Sequence, residues 1–352
     1  MASRRGDLAG YGAGVTASAY AAPSTITTGR PTPVNRHRWL DPARHIGRLR
    51  KLRKVLANRW AYAVGHRIEG LHRIRGLAPL RYPTAAFSVH MVTCHRDLDM
   101  ALWALRSFTY FAEVSPPIFV HDDGSLTEQD KAALRNGLAR CTVIDRADAD
   151  QAVDRWLAAY PHSRQMRKAP SFYCALKLFD PWVYTTNDVV VLIDSDVLFF
   201  GAPDELLACA AAGTACFNSD YQNAYALGPA DLERHFGMTL LDRVNAGLLV
   251  LGRRDYDLDL IERYFASVPL QIPNLNKHEQ TVYAALLSRA GARRLSEAYQ
   301  ISSQTITAAT VSHHFVDDGA RSKFGAKGVR TLRRRGFLDR LAALQTARAA
   351  ES

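Results

Sequence analysis

Val189-Val190-Val191-Leu192-Ile193-Asp194-Ser195-Asp196-Val197-Leu198-Phe199-Phe200 decides the fold. Val189 to Ile193 are apolar without interruption and four of them are β-branched, which describes a strand buried on both faces. The run stops at two carboxylates two positions apart and then turns apolar again. Side chains alternate along an extended segment, so Asp194 and Asp196 are expected to point the same way. Carboxylates held side by side repel unless a cation or a proton lies between them. Hard oxygen ligands suit Mn²⁺ or Mg²⁺, and such ions in turn hold phosphate oxygens. Strand-end carboxylates that cap a following helix account for the same residues, so the stretch alone leaves both readings open.

Upstream, short β-rich runs alternate with helical patterns. Phe87 to Val92 reads as a strand, Met100 to Phe111 as a helix, and Pro117 to Val120 as a second strand. Leu126 to Leu138 then reads as a helix and Cys141 to Ile144 as a third strand. Alternation at this spacing predicts an α/β fold with a mostly parallel, doubly wound sheet flanked by helices. Such sheets bind ligands beyond the carboxyl ends of their strands. Thr93-Cys94-His95-Arg96-Asp97 and His121-Asp122-Asp123-Gly124-Ser125 occupy those positions.

The Asp194-Ser195-Asp196 segment resembles the Asp-x-Asp motif of GT-A-type nucleotide-sugar glycosyltransferases. Three further segments follow in the order of glycosyltransferase family 8, the glycogenin and bacterial galactosyltransferase group. Asn245-Ala246-Gly247-Leu248-Leu249-Val250-Leu251 resembles its Asn-Ala-Gly strand. His278-Glu279-Gln280-Thr281-Val282 is similar to its Asp-Gln motif, with Glu279 in place of the acid. Ser312-His313-His314-Phe315, with Gly319 and Lys323, is similar to its C-terminal His-Phe…Gly…Lys element. The closing element departs from the family pattern in its spacing before Gly319 and in Phe324, which stands where Pro-Trp would follow the lysine. The resemblance covers residues 86–328 and implies a GT-A-type Rossmann-like fold.

The resemblance also implies roles. Asp194, Asp196 and His314 would hold Mn²⁺ or Mg²⁺, with His314 chosen over His313 by its His-Phe register. Asp194 and Ser195 would lie against a UDP-sugar donor, and Lys323 would place a charge on its diphosphate. Asp122 resembles an aspartate that meets the uracil ring, although Asp-Gly favours a tight turn in any case. Thr93 and Cys94 are placed for backbone contact with the nucleotide. Lys177 sits in the largely apolar run Phe172 to Phe179, where a lysine either snorkels or meets an anion. Its place resembles a basic residue that contacts donor phosphate or sugar. Glu279 is a candidate general base for inversion. Gln280 could instead sit under the anomeric carbon, and with Asn245 it completes the catalytic set for the expected retention of configuration. The implied activity is hexosyl transfer to an acceptor hydroxyl on a glycan, a lipid-linked molecule or a small molecule.

Two other classes compete. A sugar-phosphate nucleotidyltransferase usually carries a Gly-rich phosphate loop after its first strand, and Thr93-Cys94-His95-Arg96 has no glycine. A non-catalytic nucleotide- or nucleic-acid-binding protein would not need paired carboxylates at a buried strand end. The whole chain carries +11, yet residues 1–85 hold 16 Lys/Arg against 3 Asp/Glu and residues 321–352 hold 9 against 2. The middle of the chain is therefore acidic. Neither basic end interleaves aromatics as a stacking platform, so no specific nucleic-acid partner is expected.

The ends read differently from the centre. Residues 1–40 are expected to form a flexible tail. Asp41-Pro42 starts a helix, and apolar residues from Ile46 to Leu71 recur at helical spacing among many arginines and lysines, with a break expected near Gly65 or Gly70. A basic amphipathic segment over 41–84 is therefore expected, followed by a catalytic domain over 85–328 and a basic C-terminal helix or tail over 329–352. The apolar stripe could pack on the domain or dock on an anionic membrane surface. The five cysteines are scattered without a Cys-x-x-Cys pair, which favours reduced thiols. No run approaches the roughly 18 apolar residues of a membrane span. The expected location is the cytoplasm, with peripheral attachment at the inner membrane face. Arg outnumbers Lys by 37 to 8, a composition typical of a high-GC bacterial genome.

Overall fold

Short, largely buried β-rich runs separated by helices build the sheet strand by strand. The computed structural model describes residues 69–351 apart from 171, 269–275, 303 and 317–319, together with the separate positions 53, 56 and 63. The expected tail, most of the basic helix and Gly319 lie outside the described residues. The strands are β1 Ser88–Thr93, β2 Ile118–Asp122, β3 Cys141–Ile144, β4 Val189–Ile193, β5 Val197–Phe199, β6 Cys216–Ser219, β7 Val244–Gly252, β8 Arg293–Arg294, β9 Tyr299–Ile301 and β10 Ser312–His314. Seven form one sheet in the order β3-β2-β1-β4-β7-β6-β8, and β5-β10-β9 form a second. In the large sheet β7 alone runs against its neighbours β4 and β6, and the other pairs are parallel. This is the mostly parallel, helix-flanked architecture expected of a GT-A-type Rossmann-like fold.

Side chains of β4 alternate between two apolar clusters. Val191 and Ile193 join one, and Val190 and Leu192 join the other. Buried on both faces, β4 lies in the middle of the sheet between β1 and β7. The helix Leu98–Ala112 is buried over nearly its whole length and packs beside β5, where Ser107 Oγ accepts from Phe199 N at 3.1 Å. The next helix begins at Glu128, later than the expected Leu126. Thr127 caps it reciprocally: its Oγ1 accepts from Asp130 N at 3.2 Å while Asp130 Oδ2 accepts from Thr127 N at 2.8 Å, a capping box.

The core reaches beyond the 85–328 expected for it. Leu71, Ile74 and Leu80 join the first cluster from one side, and Val329, Leu332, Phe337 and Leu341 join it from the other. Buried polar groups of the Leu98–Ala112 helix tie down the first of these segments: Trp103 Nε1 donates to Leu71 O at 2.9 Å and Arg106 NH1 to Leu77 O at 2.8 Å. Burial pulls the Arg106 pKa down to about 10. Helical structure occurs at 53, 56 and 63, where Leu56 is 55% exposed. The helical pattern breaks at Gly70, one of the two glycines where a break is expected. Gly70 takes a left-handed φ of 61°, and Leu71–Ile74 form a single 3-10 turn. Beyond β10 the described chain is helical from Ala320 to Glu351 except for a turn at Arg335-Gly336.

Candidate active site

Strand order places the site. From β1 the chain moves outward to β2 and β3, then returns to β4 on the other side of β1. The carboxyl ends of β1 and β4 therefore flank a switch in winding direction, where open α/β sheets leave a crevice. A cavity of about 370 Å³ lies there. Six expected site residues line it: Thr93, Cys94, Lys177, Asp194, Ser195 and Asp196. Asp97, Asp123, Tyr173 and Arg321 line it as well.

Asp194 to Val197 do not continue the strand in extended form. Val197 N donates to Asp194 O at 3.1 Å, closing a turn that carries the chain from β4 into β5 and hence from one sheet to the other. Antiparallel pairing of β10 with β5 sets His314 opposite Val197, so the histidine arrives beside the turn. Its Nε2 lies 3.0 Å from Asp196 Oδ1 and 3.9 Å from Asp194 Oδ2. Ligand atoms of Asp194, Asp196 and His314 lie within 4.8 Å of one another, a group that could hold a metal ion. Two carboxylates and one imidazole suit a divalent cation.

Asn245 orients that imidazole. Its Oδ1 is 2.8 Å from His314 Nδ1 and accepts from Gly247 N at 2.9 Å. A carbonyl oxygen there requires the proton on Nδ1 and leaves Nε2 to the carboxylates, the arrangement by which an outer partner fixes a metal-ligating histidine. A bulge in β7 makes this possible: Phe217 of β6 pairs with Leu249, while its neighbour Asn218 pairs with Asn245. Bulges re-aim side chains in this way next to functional sites. Gly247 lies inside the bulge, and a Cβ there would sit 2.1 Å from His314 Cε1. Burial opposes charge on His314, but Asp196 and Asp194 outweigh it and raise the pKa overall. His313 turns away, with Nε2 3.2 Å from Ser302 O, and burial lowers its pKa to about 4.

Lys177 is buried and bonded to protein carboxylates, so it does not snorkel. Its Nζ donates to Asp194 at 2.8 and 3.0 Å and lies 2.9 Å from Glu279 Oε1. Burial favours the neutral amine, yet the two acids hold its pKa well above the usual value. Glu279, only 5% exposed, is raised to about 7 by burial against the opposing pull of Lys177. Asn245 Nδ2 and Gln280 Nε2 both reach Asp220 Oδ2, at 3.2 and 3.3 Å. Gln280, Asn245, Glu279 and His314 thus surround the cavity's inner wall without lining it.

Two expected residues sit elsewhere. Asp122 is turned into its own loop: its Oδ1 accepts from Gly124 N at 2.7 Å and Leu126 N at 3.0 Å. The acid that faces the cavity is Asp123, whose Oδ1 accepts from Ser125 N and Oγ at 2.9 and 2.6 Å. Lys323 does not line the cavity, whereas Arg321, two residues before it, does. Arg321 forks onto both oxygens of Asp97 at 2.6 Å each. Burial would raise the Asp97 pKa, but Arg321 outweighs it and lowers it. Cys94 Sγ lies 3.3 Å from Asp97 Oδ2, and burial with that carboxylate pushes the thiol to about 11. Thr93 Oγ1 is buried without a hydrogen-bond partner among the described residues. Sequence reasoning assigned no role to Asp97, Asp123, Asp220 or Arg321. The first two follow the ends of β1 and β2, which is a signal of place but not of function.

No protein-family model matches the chain, and no curated protein does. Among solved structures it is similar to the galactosyltransferase LgtC in complex with donor and acceptor sugar analogues, at 15% identity over 69% of this chain and 95% of that one, with a TM-score of 0.45. It is similar to mouse xyloside xylosyltransferase 1 at 12% identity over 67% of this chain and 98% of that one, with a TM-score of 0.43. The bifunctional glycosyltransferase WbbM matches at 16% identity over 62% of this chain and 39% of that one, with a TM-score of 0.41. Likeness at these scores assigns no activity.

Proposed function

We propose that the chain transfers a sugar from a nucleoside-diphosphate donor, UDP-linked, to an acceptor hydroxyl with the help of Mn²⁺ or Mg²⁺. The observation that carries this reading is Asp194, Asp196 and a tautomer-fixed His314 converging beside a cavity at the winding switch. These three would hold the cation, which supplies Lewis-acid stabilisation of charge on the departing diphosphate. Thr93 Oγ1, buried without a partner among the described residues, offers the nucleotide a hydrogen bond. Arg321 brings a guanidinium suited to phosphate oxygens into the same wall,.

The carboxylates support retention of configuration. Inversion needs a free base beside the acceptor hydroxyl. Three of the four acids lining the cavity are paired with basic side chains, Asp97 with Arg321, Asp194 with Lys177 and Asp196 with His314, and Asp123 accepts from Ser125 through Oδ1. Glu279 is held by Lys177. Gln280, partly exposed and joined to Asn245 through Asp220, is the neutral group left to meet a sugar that extends beyond the cavity, and Asn245 acts through His314.

A panel of UDP-sugars tests the proposal, with nucleoside-diphosphate release followed with Mn²⁺, with Mg²⁺ and with chelator. Cation-dependent release that falls at least tenfold in Asp196→Asn is the expected result. Turnover of UTP with a sugar 1-phosphate, and none of any UDP-sugar, would make the chain a nucleotidyltransferase instead.

A further inference from the structure

The two basic ends of the sequence meet in the fold. Arg73 belongs to the turn Leu71–Ile74, and Arg330, Arg333 and Arg334 to the helix Arg330–Arg334. With Glu69 and Asp339 they line a cleft of about 390 Å³, which shares no residue with the cavity at the strand ends. Four guanidiniums thus face two carboxylates. Glu69, 4% exposed, serves two of them: its Oε1 accepts from Arg330 Nε at 2.9 Å, and Arg333 NH1 lies 3.9 Å from Oε2 while donating to Glu69 O at 2.8 Å. The side chains of Arg73 and Arg334 have no hydrogen-bond or ion-pair partner among the described residues.

We propose that this cleft binds a phosphate group. Like charges gathered in a concavity cost stability unless an anion relieves them. The kind of anion follows from the forks. One guanidinium occupies both oxygens of a carboxylate, whereas a phosphate has further oxygens for forks that arrive from a different segment. Here the arginines come from two segments more than 250 residues apart in sequence. Burial of Glu69 prearranges Arg330 and Arg333, and Arg73 and Arg334 are left with unspent donors. The phosphate could belong to a phospholipid headgroup or to a soluble phosphate, and the same arginines would hold either.

The full-length protein is tested with two probes at low ionic strength: inorganic phosphate by calorimetry, and vesicles of phosphatidylcholine with and without phosphatidylglycerol by co-sedimentation. The variants are Arg73→Gln, Arg334→Gln and their combination, which touch neither the cavity nor its acids. Loss of two charge-assisted contacts should weaken binding about tenfold or more, while the melting temperature without probe does not fall, because the repulsion among the arginines is relieved, and the affinity for UDP with Mn²⁺ stays unchanged. Arginine-dependent binding of phosphatidylglycerol vesicles identifies the headgroup as the source. Arginine-dependent binding of inorganic phosphate alone identifies a soluble one. If neither probe binds the wild-type protein, or both bind the double variant as well as the wild type, the cleft is not a phosphate site.

Discussion

Replacing Gly247 by alanine should disable His314 without removing a polar atom. A Cβ at 247 would lie 2.1, 2.6 and 2.8 Å from His314 Cε1, Nδ1 and Nε2, against 3.4 Å or more for an ordinary contact. The imidazole must therefore retreat by more than an ångström, because the other party is the backbone of a central strand. That shift exceeds the roughly 0.2 Å tolerance of a metal–ligand distance. It also breaks the 2.8 Å bond from Nδ1 to Asn245 Oδ1. Overpacking of this kind costs about 1–3 kcal/mol of stability, and loss of the orienting bond costs about 10–100-fold in metal affinity. Chemical denaturation and a Mn²⁺ titration of donor turnover read the two effects separately. The decisive measurement is a double-mutant cycle. In a His314→Ala background the methyl has nothing to strike, so Gly247→Ala should become nearly neutral for stability. If alanine at 247 costs as much with His314 removed as with it present, the clash lies elsewhere and the proposed support for the metal-ligating ring is wrong.

Lys177→Met should cost about 3 kcal/mol, the low end for breaking a buried ion pair because Glu279, already near 7, can take up a proton. Adding Glu279→Gln should recover part of the loss in urea denaturation, and strict additivity would contradict the pairing. His314→Ala should raise the Mn²⁺ concentration for half-maximal turnover far more than His313→Ala, since His313 faces Ser302 O; the reverse order would exchange their roles. His121 is buried and its pKa falls to about 3, so the unfolded chain takes up a proton below about pH 6.5 that the folded chain refuses. Its stability contribution is complete above pH 6.5 and is lost progressively toward pH 3, at up to about 1.4 kcal/mol per pH unit. His121→Gln should flatten the melting-temperature profile in that window, and an unchanged slope would show that His121 does not set it.

Local pattern carried the strands that are buried on both faces. β3 runs from Cys141 to Ile144 as read, and β4 occupies the apolar run that ends at Asp194. Helix ends shifted where a side chain competed with periodicity, as Thr127 did by capping. Pairing is a different kind of information. Nothing in Asn245 to Leu251 says that β7 runs against its neighbours or bulges at Gly247, because both properties depend on β4 and β6. The same limit hid the partners of Lys177: a lysine in an apolar run either snorkels or meets an anion, and its two anions stand at the end of β4 and on a helix about a hundred residues later. Asp122 and Asp123 were indistinguishable as neighbours until the turn used one for its own backbone and left the other at the cavity. Arg321 had no local mark at all, since its importance comes from the Asp97 carboxylate across the fold.

The passage of the chain from β4 through Asp194-Ser195-Asp196 into β5 has a consequence for synthesis. Both aspartates leave the ribosome more than a hundred residues before Ser312, and until β10 arrives β5 has no strand on the edge that His314 later occupies. A nascent chain therefore exposes a short apolar edge beside two unmatched acids, the kind of surface that invites mispairing. Docking of β10 closes the edge and delivers the imidazole in the same motion. Completion of the small sheet and assembly of the Asp194-Asp196-His314 group are one event, so a chain that stalls before β10 lacks the imidazole however well its large sheet has formed.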